Sequence, residues 1–101
     1  MAPVLDDANV RDRIRRHIEG AFLRLHPKLH LRDDDPLIKK GVVDSMGAIE
    51  LIKFLEAEFG IEVWGDDVTE ENLGSVAALT RFVIGRRTLQ RDRTNREIRV
   101  T

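Results

Sequence analysis

Three stretches of the chain repeat apolar residues at the spacing of an α-helix. This pattern constrains the fold most, because an amphipathic helix must bury its apolar face against another element. A fourth, shorter helix is expected after Thr69, where two acidic residues follow a capping side chain. The sequence therefore predicts an all-α fold, a small bundle of three main helices plus one short helix. The three stripes are Val10, Ile14, Ile18, Ala21, Phe22 and Leu25; Ala48, Leu51, Ile52, Leu55 and Phe59; and Val76, Leu79, Phe82 and Val83.

Residues that favour helix ends flank each predicted helix. Pro27 ends the first pattern, Gly60 follows the second, and the last stripe stops before Gly85. Side chains able to cap a helix N-terminus precede every stripe. They are Asp6, Asp7 or Asn9 for the first helix, Asp44 or Ser45 for the second, Thr69 for the short one and Ser75 for the last.

A long first loop, residues 26–43, joins the first two helices. Loops of this length without their own secondary structure are uncommon and often functional. This one contains two prolines and Gly41 but no low-complexity sequence. We expect its apolar residues to anchor it to the core; they are Leu29, Leu31, Leu37, Val42 and Val43.

Composition limits the class of protein. A chain of 101 residues with 42% hydrophobic and 35% charged residues fits one small globular domain. The absence of cysteine excludes disulfides, zinc thiolates and thiol nucleophiles. No apolar run approaches the roughly 18 residues of a membrane span, and the first residues lack the apolar core of a signal peptide. We therefore expect a cytoplasmic protein with no membrane partner.

Charge is distributed unevenly along the chain. Residues 86–101 contain six arginines against Asp92 and Glu97, a net charge of +4. The preceding residues 1–85 have a net charge of −5, and Asp44 to Asn72 alone has nine acids against Lys53. This asymmetry predicts a basic partner for the acidic body. Because residues 86–101 also lack a helical stripe, we predict a folded domain over residues 1–85 and a mobile basic tail over residues 86–101, which could begin as a helical extension.

Ser45 allows three interpretations, because it lies where the first loop becomes the second helix. It could cap that helix, as Ser or Asp before an apolar run usually does. It could be a hydrolytic nucleophile, but the G-x-S-x-G motif is absent and the histidines are confined to the first helix and loop. A metal site is also not favoured, because His26 and His30 lie on either side of Pro27, which disrupts the helical spacing of metal ligands. The third interpretation is an attachment point for a prosthetic group.

The segment "GVVDSMGAIELIKFLEAEFGIEV" resembles the acyl, peptidyl and D-alanyl carrier protein family. The family hallmark is Asp-Ser-Leu at the start of a helix that carries Glu-Leu, and here it reads Asp44-Ser45-Met46. The stretches "DPLIKKGVV", "FLEAEFGI" and "SVAALTRFV" extend the similarity from about Val10 to Val83. The resemblance implies an acyl-carrier-like bundle and a non-catalytic protein.

In that family the serine carries 4′-phosphopantetheine, and the resemblance assigns this group to Ser45. A phosphopantetheinyl transferase moves the group from coenzyme A with the help of Mg²⁺. The attached arm supplies the thiol that the chain lacks, and it holds an acyl or aminoacyl group as a thioester. Expected partners are this transferase, an acyl- or aminoacyl-loading ligase or transferase, and downstream biosynthetic enzymes. We expect the carrier itself to be a monomer.

The family also implies a recognition surface on the outward side of the second helix. Asp44, Met46, Glu50 and Glu56 match positions of that kind. Ile49, close to the serine, could line a groove for the arm or simply pack in the core.

Several residues depart from the fatty-acid carriers of this family. Gly47 and Ala57 replace acids, Lys53 replaces an apolar contact, and Trp64 occupies a place where proline is frequent. These departures favour a specialised, ligase-loaded pathway, with fatty-acid or lipid synthesis as the alternative.

Two functions from other classes compete with the carrier interpretation. The six arginines of the tail could contact nucleic-acid phosphates, although the acidic body offers no basic helix face or aromatic platform. Alternatively, the chain could be an unmodified adaptor bundle in which the serine is only a cap. Acceptance of phosphopantetheine would separate the carrier from both.

Overall fold

The computed structural model describes residues 6–22 and 30–100, with the side chains of residues 90–100 outside that description. The described residues form four α-helices and one 3₁₀ turn, and they contain no β-strand. The predicted small all-α bundle is therefore confirmed. The elements are α1 (Asp7–Ala21), α2 (Ser45–Phe59), the 3₁₀ turn Gly65–Asp67, α3 (Glu70–Leu73) and α4 (Val76–Val100).

The core lies between the apolar stripes of α1, α2 and α4. The stripe residues Val10, Ile14, Leu55 and Leu79 have no exposed surface, as the helical spacing predicts. Met46, Glu50, Lys53 and Ala57, on the opposite side of α2, are all exposed. The predicted facing of α2 is therefore confirmed, while Leu25 of the first stripe lies outside the described residues.

The first loop is fixed to the bundle by apolar side chains and by backbone hydrogen bonds. Four of its five predicted anchors are buried, and the fifth, Leu29, lies outside the described residues. The Leu37 N–H donates to the Gly74 carbonyl at 2.8 Å, and the Ala77 N–H donates to the Asp33 carbonyl at 2.7 Å. These bonds attach the loop to Gly74, between α3 and α4, and to the first turn of α4.

Side-chain contacts reinforce this attachment. Arg15 of α1 pairs with Asp33 at 2.6 Å. Asp35 accepts from the Arg32 backbone N–H at 2.8 Å and from Lys40 Nζ at 3.1 Å. The backbone hydrogen bond, helped by Lys40, lowers the pKa of Asp35. The loop that leads to α2 therefore has defined geometry.

Most helix ends follow the sequence pattern. Asp6, Asp44 and Thr69 each accept a hydrogen bond from the backbone three residues later and so cap α1, α2 and α3. Ser75 caps α4 in the same way, with its Oγ accepting from the Ala78 N–H at 3.1 Å. Gly60 ends α2 in the left-handed region, with φ of 64°, which glycine adopts without a Cβ clash.

The last helix extends beyond its apolar stripe. The predicted stripe stops before Gly85, and the sequence left open a helical extension into the tail; in the structure α4 continues to Val100. Gly85 does not break the helix, because a glycine inside a helix costs only about 1 kcal/mol relative to alanine. Arg86 and Arg87, directly after Gly85, have partners on the body, as described below. No helix in the described part of the chain is long and apolar enough to span a membrane.

Candidate functional site

Asp44 organises the first turn of α2. Its backbone is extended, and its Oδ1 accepts a hydrogen bond from the Gly47 N–H at 2.7 Å. The Asp44 carbonyl accepts from the Ala48 N–H at 2.8 Å, which closes the first helical turn. Asp44 is therefore the N-cap, and Ser45 is the first residue inside the helix. This geometry decides between the two candidate caps that the sequence left open.

Ser45 is exposed, and no hydrogen bond of its hydroxyl is found among the described residues. The only other serine of the chain, Ser75, is half-buried, and its hydroxyl is used in capping α4. The two serines therefore differ in role: one is part of the helix-capping structure, and the other presents its hydroxyl to solvent.

The first turn of α2 suits an anion. The opening N–H groups of a helix have no partner within the helix, and the helix dipole places positive potential there. The first turn of α2 contains no acidic side chain, whereas α1 has Asp7 and α3 has Glu70 and Glu71 in theirs. A phosphodiester on the Ser45 hydroxyl would lie near the remaining N–H donors of this turn, next to the Asp44 carboxylate that already accepts from the Gly47 N–H.

Gly47 allows α1 to pack closely against this turn. A Cβ at position 47 would lie 2.7 Å from Cε1 of Phe22 and 3.2 Å from Asp44 Oδ1. The first of these distances is too short for any side chain to be added without moving the Phe22 ring. The end of α1 thus supports the backbone next to Ser45.

His17 continues the aromatic contact between α1 and α2. Its ring stacks on Phe54 with centroids 3.8 Å apart, and it meets Phe22 edge-on at 6.1 Å. Burial against these rings lowers the pKa of His17, although the charges of Glu50 and Glu58 act in the opposite direction. The imidazole therefore favours its neutral form in this packing.

The proposed recognition residues fall into two groups. Met46 and Ile49 are 71% and 50% exposed, and Glu50 is also exposed. Glu56 instead is half-buried, and its Oε2 accepts a hydrogen bond from the Val63 N–H at 3.1 Å. Glu56 therefore has a structural role that the sequence pattern did not indicate, whereas Asp44 was already a candidate cap.

An apolar groove of about 130 Å³ opens between α2, α3 and the first loop. Val43 and Ala48, which flank the Ser45 turn, contribute to its wall together with Leu51 and Leu73. Ile49 does not line this groove. Its side chain is 50% exposed and lies outside the buried core, so the described geometry favours neither of its two predicted roles.

The far end of α2 is closed by α4. Arg87 Nη1 donates to the Phe59 carbonyl at 2.7 Å, which satisfies one of the last carbonyls of α2. Arg86 pairs with Asp67 at 2.6 Å, and its guanidinium carbon lies 4.9 Å from the centre of the Trp64 ring. The sequence assigned both arginines to the mobile tail, but their side chains contact the body. The mobility of the residues beyond them stays a prediction.

Comparison with known proteins does not assign this site to a family. Across residues 6–22 and 30–100, no group of three or more His, Asp or Glu side chains is arranged to hold a metal ion. No protein-family model matches the chain, and a search of curated proteins found no similar sequence.

Proposed function

We propose that the chain is a carrier protein, with 4′-phosphopantetheine attached through a phosphodiester to the Ser45 hydroxyl. The observation that carries this proposal is that two adjacent residues have different roles. Asp44 caps α2, while Ser45 is exposed and free to react. When bound, the prosthetic arm supplies a thiol that can hold an acyl or aminoacyl group. The resemblance described above names the chemistry, and the geometry of the first turn supports it.

The protein would contribute positioning and recognition rather than catalysis. The opening N–H groups of α2 would stabilise the phosphodiester, and tethering would raise the local concentration of the cargo at each partner enzyme. Met46 and Glu50, both exposed and close to Ser45, would meet the transferase and the loading enzymes. The groove beside the turn has room for the apolar part of a short acyl group.

A specialised, ligase-loaded pathway is the form of this proposal that we favour over fatty-acid synthesis. Fatty-acid carriers of the family have an acid at the position of Gly47, and here the Phe22 ring occupies the space that such a side chain needs. Lys53 is exposed on the outward side of α2, where those carriers have an apolar contact. A partner enzyme would therefore meet a different surface on this helix.

The test is the intact mass of the chain after incubation with a broad-specificity phosphopantetheinyl transferase, coenzyme A and Mg²⁺. Wild type should gain one phosphopantetheine, and Ser45→Ala should gain none while melting at nearly the same temperature. Ser75→Ala is the matched control, because it loses a cap but should still be modified. Failure of wild type to gain mass would favour the unmodified adaptor. Modification that persists in Ser45→Ala would remove Ser45 as the site.

A further inference from the structure

The end of α1 carries an aromatic ring that packs on the turn containing Ser45. Phe22 is the C-cap of α1, and its N–H donates to the Ile18 carbonyl at 2.8 Å. The ring is so close to the buried Gly47 that a Cβ there would lie 2.7 Å from Cε1 and 3.4 Å from Cζ. Two adjacent ring atoms therefore cover the backbone two positions after Ser45.

The Phe22 ring also lies beside the hydrogen bond that caps α2. The same Cβ position on Gly47 is 3.2 Å from Asp44 Oδ1, the atom that accepts from the Gly47 N–H at 2.7 Å. Ring and capping oxygen are therefore close neighbours. A ring at this place keeps water from one side of the capping bond, and a hydrogen bond is stronger where the local dielectric is lower. The order of this turn thus depends on a residue of another helix.

A row of three further rings holds Phe22 in place. His17 meets Phe22 edge-on with ring centres 6.1 Å apart, and it stacks on Phe54 at 3.8 Å. Phe54 in turn meets Phe59 of the buried core edge-on at 6.0 Å. Within the described part of the chain the buried Nε2 of His17 has no hydrogen-bond partner, so the imidazole contributes as a ring. The row connects the core to the start of α2.

We infer that Phe22 is a positioning residue for the modification of Ser45, and this inference rests on the proposed function. The ring keeps the bond between Asp44 and Gly47 closed, and the closed turn presents the Ser45 hydroxyl in one geometry. A transferase that binds only the closed turn loses apparent affinity in proportion to the fraction of open turn. Loss of the ring should therefore raise the KM for the carrier and leave kcat unchanged, because the turn is closed in the bound complex.

Transferase kinetics with saturating coenzyme A and Mg²⁺ test this role. Phe22→Ala should raise the KM for the carrier about fivefold, the fold-change equivalent of losing a typical helix cap. Phe22→Leu keeps an apolar side chain over Gly47 and should recover most of the loss. Phe82→Ala is the matched control, since Phe82 is also half-buried but lies on α4, where its ring contacts Arg86. It should lower stability and leave KM unchanged, because nearly all molecules stay folded.

A methyl group at position 47 tests the same contact from the other side. Gly47→Ala should raise KM although alanine favours a helix, because the new Cβ displaces the Phe22 ring. In the Phe22→Ala background the methyl group meets no ring, so it should add nothing further to KM. If it adds the same factor there, its contact with Asp44 Oδ1 is the cause, and Phe22 is not the positioning residue.

Hydrogen exchange of the Gly47 amide tests the turn without any enzyme. This N–H donates to Asp44 Oδ1, so its exchange reports how often the capping bond opens. Followed by NMR, exchange should be about fivefold faster in Phe22→Ala than in wild type or Phe82→Ala. Circular dichroism shows which variants are folded, and Phe22→Leu and Gly47→Ala test the contact if Phe22→Ala is not.

The outcomes separate this inference from the proposed function. An unchanged KM in folded Phe22→Ala, with Ser45 still modified, would overturn the positioning role and leave the carrier proposal intact. A raised KM with unchanged Gly47 exchange would mean that Phe22 contacts the transferase directly, and an equal rise in Phe82→Ala would mean a general effect of stability; either would overturn the inference. No mass gain by wild type would overturn the proposed function, and the role of Phe22 with it.

Discussion

The two ends of α2 are stabilised in different ways. At the N-terminal end a neighbouring residue, Asp44, supplies the cap through a 2.7 Å bond to the Gly47 N–H. At the C-terminal end Gly60 makes the turn, and Arg87 reaches the Phe59 carbonyl from 28 positions away. One end is closed by local sequence, the other by a side chain of a remote helix.

This difference separates the proposed attachment site at one end of α2 from the end that α4 stabilises. Because Asp44 closes the N-terminal end locally, Ser45 stays exposed and can change without disturbing the core. The C-terminal end depends on α4, so changes there should alter the free energy of unfolding and leave the proposed modification of Ser45 unaffected. The following predictions test that separation, beginning with the largest expected effect.

Leu55→Ala tests whether the core holds α2 in place between its two ends. Leu55 has no exposed surface, so truncation should lower the free energy of unfolding by about 2–5 kcal/mol. Met46→Ala, on the 71% exposed side chain near Ser45, should change it by less than about 0.5 kcal/mol. Urea unfolding of both variants measures the contrast. Similar values for the two would mean that the helix is facing the other way.

Arg86→Ala tests the closure of the C-terminal end. The Arg86 and Asp67 side chains are only 10% and 15% exposed, so solvent screens their pairing weakly. Removing the arginine should cost about 2–3 kcal/mol, because it leaves a carboxylate without its partner. A chain cut after Gly85 should lose at least as much stability, whereas a chain cut after Leu89 keeps Arg86 and Arg87.

Chemical denaturation of these two truncations shows where the body ends. The sequence predicts a detachable tail from Arg86 onward, dispensable for modification of Ser45. Equal stability of the two truncated chains would support that boundary and contradict the structural role of both arginines. A difference of about 2 kcal/mol or more would place Arg86 and Arg87 in the folded domain.

Asp44→Ala tests the N-terminal end. Loss of an N-cap costs about 1 kcal/mol, and Asp44→Asn should recover most of it because the amide oxygen can still accept from Gly47. Ser45→Ala should stay within about 0.5 kcal/mol of wild type, since its hydroxyl is exposed. Thermal melting measures all three. If Ser45→Ala were as costly as Asp44→Ala, Ser45 would share the capping role.

His17 should give α1–α2 packing a small dependence on pH. Burial lowers its pKa in the folded chain below the ordinary 6.5, so the unfolded chain takes up the proton first as pH falls. Stability is therefore fully present above about pH 6.5 and declines as pH drops from there towards the lowered pKa. His17→Phe keeps a ring on Phe54 and should remove this part of the decline.

Unfolding measured between about pH 7.5 and pH 5 checks the sign. His30→Gln, which removes an exposed histidine outside this packing, is the control variant. A slope that does not change in His17→Phe would show that the imidazole is equally easy to protonate in both states.

Local patterns in the sequence predicted much of the fold. The spacing of Val10, Ile14 and Ile18, and of Leu51, Leu55 and Phe59, identified the buried faces, because helical periodicity depends only on near neighbours. Asp6, Thr69 and Ser75 were recognisable as caps for the same reason. The position of Ser45 at the start of α2 was also predicted.

Other features depend on residues distant in sequence. The partners Arg86 and Asp67 are 19 positions apart, and no periodicity links them. The continuation of α4 past Gly85, the contact of Phe22 with Gly47 and the bond from Val63 to Glu56 are of the same kind. The sequence alone does not distinguish a charged side chain that is solvated from one that is hydrogen-bonded or ion-paired.

By itself the sequence determined the helices, their buried faces and an exposed serine at the start of α2, since propensity, capping and periodicity act over a few residues. Only the tertiary structure decided that Asp44 rather than Ser45 is the cap, and that Arg86 and Arg87 close the other end. The physical reason is that a hydrogen bond forms where packing brings donor and acceptor together, and packing is settled by the whole core.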